Sequence, residues 1–232
     1  MFKSIWSDLT KEYRFANKII RLIFANVAVF IFIKLVSVIL FIAFGEGGTA
    51  RMMDFIHLFS ISADPLKFIT RPWTWVSHMF LHVSFFHLLF NMLYLYWFGR
   101  IAGDLIGDRR IFPLYFIGGW FGVILFMLFA LLTPWIPEQS YAYGASAAVL
   151  ALTAAAGAIA PDYEIRLIFL GNVKLKYIVA VLILIDLLSI GGTNTGGHIA
   201  HLGGVLWGFL YVYLLRSGYE TGDFINRLLD VQ

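Results

Sequence analysis

Residues 111–132 read IFPLYFIGGWFGVILFMLFALL, a run of twenty-two residues without a charged side chain. About 20 apolar residues suffice for a helix to cross the hydrocarbon core of a bilayer. Hydrocarbon cannot hydrogen-bond the backbone, so a single spanning segment of this kind must be helical. Five further segments approach the same length: residues 22–44, 80–99, 143–160, 175–190 and 199–215. The sequence therefore predicts six transmembrane helices.

The overall composition agrees with a membrane protein. Of the 232 residues, 60% are hydrophobic and 13% are charged, and mean hydropathy is +0.82. Soluble domains have fewer apolar and about twice as many charged residues. We predict an all-α polytopic membrane protein, with a six-helix bundle over residues 22–216 and a long first loop at 45–75. An amphipathic cytoplasmic lead-in at 1–21 precedes the bundle, and a cytoplasmic tail at 217–232 follows it.

Charge and cysteine content exclude several function classes. The net charge of +3 is spread among short loops and forms no continuous basic patch, so nucleic acid is not a predicted partner. The chain has no cysteine, which excludes disulfides and thiolate metal sites. No cofactor is predicted. The expected partners are the lipid bilayer and transmembrane protein substrates.

Lysine and arginine residues fall mainly on one side of the predicted bundle. With six spans, both termini and the even connections share a side, which carries thirteen of the seventeen basic residues. They are Lys3, Lys11, Arg14, Lys18, Arg21, Arg100, Arg109, Arg110, Arg166, Lys174, Lys176, Arg216 and Arg227. The opposite side carries Arg51, Lys67 and Arg71. Because cytoplasmic loops are enriched in basic residues, we expect both termini to face the cytoplasm, in the inner or plasma membrane.

Three polar clusters lie in the predicted spans, where unpaired polar groups are costly and point to function. They are His78, His82, His87 and Asn91; Gly144-Ala145-Ser146-Ala147; and the segment from His198 to Gly204, which includes His201. Their depth follows from the rise of about 1.5 Å per helical residue. Ser146 lies 15 residues before Pro161, His201 lies 15 before Arg216, and His87 lies 13 before Arg100. All three are therefore expected about 20–23 Å from the cytoplasmic end of their helix.

A serine and a histidine at one depth have the parts for acyl transfer, because a hydroxyl becomes a good nucleophile when a base removes its proton. Close helix contact is expected from small residues: the span of Ser146 is rich in alanine, and the span of His201 carries Gly204 and Gly208. His87 and Asn91 are four residues apart and share a helix face. Both side chains could donate hydrogen bonds to a developing oxyanion.

These motifs resemble the rhomboid family of intramembrane serine proteases, in the family's order and over about residues 20–216. The stretch from His82 to Asn91, HVSFFHLLFN, is similar to the second-span pattern of two histidines and an asparagine. Gly144-Ala145-Ser146-Ala147 resembles the G-x-S-x nucleophile motif. Ala200-His201-Leu202-Gly203-Gly204, followed by Gly208, resembles the A-H-x-x-G-x-x-x-G motif. The stretch Arg71-Pro72-Trp73 resembles part of the family's first loop.

The resemblance implies a bacterial-type enzyme of six helices that cleaves membrane-spanning substrates near the outer face through a Ser-His dyad. Ser146 would be the nucleophile and His201 the base, with the Ser146 amide, His87 and Asn91 around the oxyanion. No third acidic residue is expected. His82 would be structural, bonding to the first loop. The pattern selects His201 over His198 as the base, because only His201 has glycines three and seven residues later.

Two positions depart from the family pattern. Ala147 replaces a frequent glycine after the nucleophile, and Leu150 stands where some members have tyrosine. Neither change removes a reacting group, so they bear on rate rather than on reaction type. His78 and His198 are interpreted as interfacial polar residues. Lys34 and Asp186 are expected to have structural partners or to extend toward the membrane surface.

Two alternative functions stay open. The histidines could bind zinc in a metal site or transporter, although no carboxylate lies among them and the H-E-x-x-H pattern is absent. The chain could also be a catalytically inactive relative that binds membrane clients. The joint presence of Ser146, His201, His87 and Asn91 favours the protease, and no metal is predicted.

Overall fold

The computed structural model describes residues 17–167 and 171–229, and most of the predicted lead-in, residues 1–16, lies outside them. Ten α-helices are found in the described residues. In chain order they are α1 (Lys18–Phe44), α2 (Gly47–Phe59), α3 (Pro65–Thr70), α4 (Thr74–Ser77), α5 (Phe85–Ile106), α6 (Ile111–Leu132), α7 (Ser146–Ile159), α8 (Leu175–Leu188), α9 (Thr195–Arg216) and α10 (Asp223–Leu229). Each of the six apolar segments predicted from the sequence overlaps one helix: α1, α5, α6, α7, α8 or α9.

Length and composition allow three of these helices to cross a membrane. They are α1, α6 with its preceding turn, and α9. A fourth candidate combines residues 74–80 with α5, which meet at a bend of 96°. Helices α7 and α8 have 14 residues each, about 21 Å, and are shorter than the hydrocarbon core. The structure is thus mostly helical, with three to four candidate spans rather than six that meet the length requirement.

Four short strands lie outside the predicted all-α fold. Strand β1 (Ile61–Ser62) pairs antiparallel with β2 (Tyr141–Ala142), and β3 (Glu164–Leu167) forms a hairpin with β4 (Gly171–Lys174). The β1–β2 pair joins the first loop to the segment that precedes α7. The loop predicted at residues 45–75 therefore has ordered structure of its own, and it reaches the neighbourhood of Ser146.

The described part of the predicted tail packs against the turn before α6. Arg109 forms an ion pair with Asp223 at 3.0 Å, and Arg110 pairs with Glu220. On α1, the Lys18 ammonium donates to the Asn226 side chain at 2.8 Å. These contacts hold α10 beside the N-terminal ends of α1 and α6, where Lys18, Arg109 and Arg110 lie.

Helix α7 occupies the centre of the bundle, and all but three of its fourteen residues are buried. Its alanine-rich surface lets α9 approach closely, because Gly204 and Gly208 face the α7 backbone. An added Cβ at Gly204 would overlap the carbonyl oxygen of Ala147, and one at Gly208 would overlap that of Ala151. This packing brings the N-terminal turn of α7 next to α9.

We predict that Gly204→Ala destabilises the protein by about 1–3 kcal/mol, because overpacking forces helices α7 and α9 apart. Gly103→Ala is the matched control, since the added Cβ there would meet Ile111 at an ordinary 3.7 Å. The midpoint of thermal unfolding in detergent measures both. Equal midpoints for the two variants would contradict the proposed packing constraint.

Candidate active site

Ser146 is the first residue of α7, and the turn before it is held by backbone and histidine contacts. The amide of Gly144 donates to the carbonyl of His78 at 2.8 Å, and the Ala145 amide points to Nε2 of His82 at 3.5 Å. Gly144 has φ +125°, a conformation that favours glycine. Because the first N–H groups of a helix have no intrahelical partner, the start of α7 presents free donors beside the Ser146 hydroxyl.

His201 contacts the hydroxyl of Ser146. Its Nε2 lies 2.7 Å from Ser146 Oγ, although the two residues are 55 positions apart. The distance is that of a good hydrogen bond, and the geometry suits transfer of the serine proton to the imidazole. The structure thus brings together the two side chains that the depth estimate had placed in one layer.

Asp186 on α8 lies behind His201. Its Oδ1 is 2.9 Å from Nδ1 of His201 and 2.7 Å from Nδ1 of His198. The residue is 5% exposed. The resemblance had implied no third acidic residue, yet this carboxylate lies next to His201. His198, interpreted as an interfacial polar residue, contacts the same carboxylate oxygen. Asp186 comes two residues before the end of α8. Its charge within an apolar segment was the signal that the sequence offered.

His87 and Asn91 line the same cavity as Ser146 and His201, which has a volume of about 440 Å³. An added Cβ at Gly144 would lie 2.7 Å from Cε1 of His87 and 3.8 Å from Ser146 Oγ, so the imidazole lies beside the nucleophile. One Nδ2 hydrogen of Asn91 is used by the His87 carbonyl at 2.9 Å. All four predicted site residues therefore surround one cavity.

The remaining histidines differ from their predicted surroundings. His82 is fully buried and contacts the Ala145 amide rather than the first loop. His78 is also buried and lines the cavity, with its Nδ1 2.7 Å from the Thr74 carbonyl. Residues 74–80 meet α5 at a bend of 96°, and His78 lies on the cavity side of this bend. His57, for which no site role is predicted, stacks on Tyr141 with ring centroids 3.9 Å apart.

The two charged residues predicted within spans have partners. The ammonium of Lys34 donates to the Val83 carbonyl at 2.7 Å, and Asp186 contacts the two histidines. Leu150 belongs to an aliphatic cluster with Val179 and Val205 between α7, α8 and α9. The position where some family members have tyrosine thus contributes no polar group to this region.

One group of side chains in the described part of the chain could hold a metal ion. The ligand atoms of Asp186, His198 and His201 lie within 4.8 Å of one another, and zinc accepts such nitrogen and oxygen ligands. The sequence had suggested that the histidines lack a carboxylate neighbour, and Asp186 supplies one. The 2.7 and 2.9 Å separations between these atoms are nevertheless hydrogen-bond lengths. The geometry therefore fits an imidazole–carboxylate network.

Comparison with known proteins gives consistent matches. Residues 70–218 match the family model described as a rhomboid domain. The chain is 31% identical over 155 residues to RHOMBOID-like protein 6, mitochondrial, of Arabidopsis thaliana, covering 65% of this chain and 47% of that protein. It is 33% identical over 149 residues to RHOMBOID-like protein 4 of the same plant, covering 63% and 35%.

A shorter match involves a bacterial protein. Over 49 residues the chain is 37% identical to Rhomboid protease GlpG of Serratia proteamaculans (strain 568), covering 21% of this chain and 18% of that protein. The matches span about half or less of the length of these relatives. The family model, in contrast, covers well over half of the present chain. From the match over residues 70–218 we conclude that the chain belongs to the rhomboid family.

Proposed function

We propose that this chain is an intramembrane serine protease, a six-span rhomboid of the bacterial type that cleaves transmembrane substrates. The observation that carries the proposal is the 2.7 Å contact between Ser146 Oγ and His201 Nε2 at the wall of a cavity that His87 and Asn91 also line. One matched relative is named a rhomboid protease, which supports the same reaction. Ser146 is the proposed nucleophile and His201 the general base.

The reaction begins when Ser146 Oγ attacks the scissile carbonyl and His201 Nε2 takes the hydroxyl proton. Negative charge then develops on the carbonyl oxygen. The Ser146 amide at the start of α7, the His87 ring and the second Nδ2 hydrogen of Asn91 are the proposed donors to this oxyanion. His201 returns the proton to the leaving amine. A water molecule, deprotonated by His201, then hydrolyses the acyl-enzyme.

The proposed membrane arrangement has both termini in the cytoplasm and the site near the outer face. Thirteen basic residues on one side and three on the other support this orientation. Helix α7 is only about 21 Å long and begins at Ser146, so the nucleophile lies below the outer surface of a hydrocarbon core about 30 Å thick. Water reaches the recessed site through the cavity above it.

Cleavage of a model transmembrane substrate in liposomes tests the proposal. We expect the native chain to cleave it, and Ser146→Ala and His201→Ala each to lower kcat by at least about 10³-fold, because neither variant retains an activated nucleophile. Ser189→Ala is the matched control, since that hydroxyl donates to the Ile185 carbonyl away from the cavity. The control should cleave at the native rate.

Two results would redirect the assignment. Equal cleavage by all four proteins would exclude Ser146 and His201 as the reacting pair, whereas cleavage by none would favour the inactive client-binding alternative. Stoichiometric zinc in the purified protein, together with chelator-sensitive activity, would support the metal alternative at Asp186, His198 and His201 instead.

Gly144→Ala should lower kcat by about 10²–10³-fold, because an added Cβ displaces the His87 ring from the oxyanion position. Gly218→Ala is the control for backbone strain alone, since Gly218 also has positive φ but an added Cβ there would meet no atom within 4 Å. Unfolding in detergent should show a stability loss of about 1–3 kcal/mol for both variants. Cleavage kinetics should show a loss of kcat only for Gly144→Ala. A native kcat for Gly144→Ala would remove His87 from the proposed mechanism.

The substrate must present an extended segment, because a peptide bond inside a helix is hydrogen-bonded and shielded. We expect replacement of a glycine near the cleavage site by leucine, a better helix former, to slow cleavage. Rates for matched glycine and leucine substrates in the same liposomes give the comparison. Identical rates would show that unwinding of the substrate does not limit the reaction.

A further inference from the structure

We infer that Asp186 is a positioning residue that fixes the tautomer and orientation of His201 for proton transfer from Ser146. The inference rests on the proposed function, to which it adds a third member of the reacting network. Three contacts support it. Asp186 Oδ1 lies 2.9 Å from His201 Nδ1, and His201 Nε2 lies 2.7 Å from Ser146 Oγ. Asp186 Oδ1 also lies 2.7 Å from His198 Nδ1.

The chemistry of the groups determines where the hydrogen lies. An ionised carboxylate accepts hydrogen bonds and cannot donate them. His201 must therefore carry its hydrogen on Nδ1 to bond with Asp186, and the lone pair of the neutral ring is left on Nε2. That lone pair faces the Ser146 hydroxyl. Asp186 thus selects the tautomer in which His201 can act as a base, and its negative charge stabilises the imidazolium that forms.

His198 holds the carboxylate in place from the other side. Its Nδ1 contacts the same oxygen as His201, and the two imidazole rings meet edge to face with centroids 5.7 Å apart. Two N–H donors on one buried oxygen compensate part of the cost of removing the charge from water. The carboxylate is therefore oriented before substrate arrives.

The surroundings of Asp186 argue against a role in packing alone. Leu175, Val179 and Asp186 are the buried residues of α8, and most of its other side chains face outward. A buried aliphatic residue would hold the helix as well without placing a charge in a membrane, where charged side chains are costly. The charge contacts two imidazoles, and one of them, His201, contacts Ser146.

The test measures the rate at which a fluorophosphonate probe labels Ser146, together with kcat and KM for substrate cleavage. Asp186→Asn keeps the shape of the side chain, but its amide can donate to Nδ1 and stabilise the opposite tautomer of His201. We expect labelling and kcat to fall by about 10²–10⁴-fold with KM unchanged. Asp186→Glu, which restores the acceptor, should recover part of the loss.

Asp162→Asn is the matched control for the same chemical change. Asp162 lies in the loop after α7, where its hydrogen bond with Lys176 holds the pKa of the carboxyl below its usual range. It should label and cleave at the native rate. Native rates for Asp186→Asn would overturn the inference. A rise in KM with native kcat and labelling would do the same.

A measurement on the native chain covers the case in which Asp186→Asn does not fold. The ¹⁵N chemical shifts of histidine-labelled protein, assigned with His201→Gln, distinguish the two neutral tautomers. We expect a hydrogen on Nδ1 of His201, and a neutral ring with the hydrogen on Nε2 would overturn the inference. If the native chain cleaves no substrate but Asp186-dependent labelling of Ser146 persists, the proposed function fails and the positioning role stands. Absence of native labelling would refute the positioning role.

Discussion

The close approach of α7 and α9 is the constraint on which the site depends. Gly204 and Gly208 leave no room for side chains between the two helix backbones, and this separation allows His201 to reach Ser146. In lipid, helices gain little from burying apolar surface against one another, so association depends on close packing and polar contacts. The 2.7 Å contact between hydroxyl and imidazole is both a consequence of this packing and one of the polar contacts that hold it.

Much of this arrangement follows from sequence patterns because membrane helices obey simple length and depth rules. The apolar segments located six of the helices, although only three or four meet the length of a membrane span. Counting residues along the helices predicted that Ser146, His201 and His87 lie in one layer. Such counting gives height along a helix but not rotation about it. For that reason the contact of Asp186 with His201 and His198 was not predicted, although its charge in an apolar segment marked it as unusual.

The β1–β2 pair was missed for another reason. Each strand has two residues, too few for an alternating pattern to be visible, and the partners are about 80 positions apart in the sequence. Pairing Ile61 with Ala142 nevertheless ties the first loop to the turn before the nucleophile. The sharp bend between residues 74–80 and α5 likewise brings a segment outside the long helices to the site, and His78 in this segment lines the cavity. Segments outside the continuous apolar runs therefore line part of the cavity.

Helix α8 contributes Asp186 to the site from an exposed position in the bundle. This helix is about 21 Å long, carries Asp186 near its end and has few buried side chains, so its tilt and height respond to bilayer thickness. Lengthening the 2.9 Å contact between Asp186 and His201 by about 1 Å would take it beyond hydrogen-bonding range. A thicker or thinner membrane would thereby alter the protonation pattern of the base without any ligand binding to the protein. In the proposed protease, bilayer thickness would then act as an effector of cleavage.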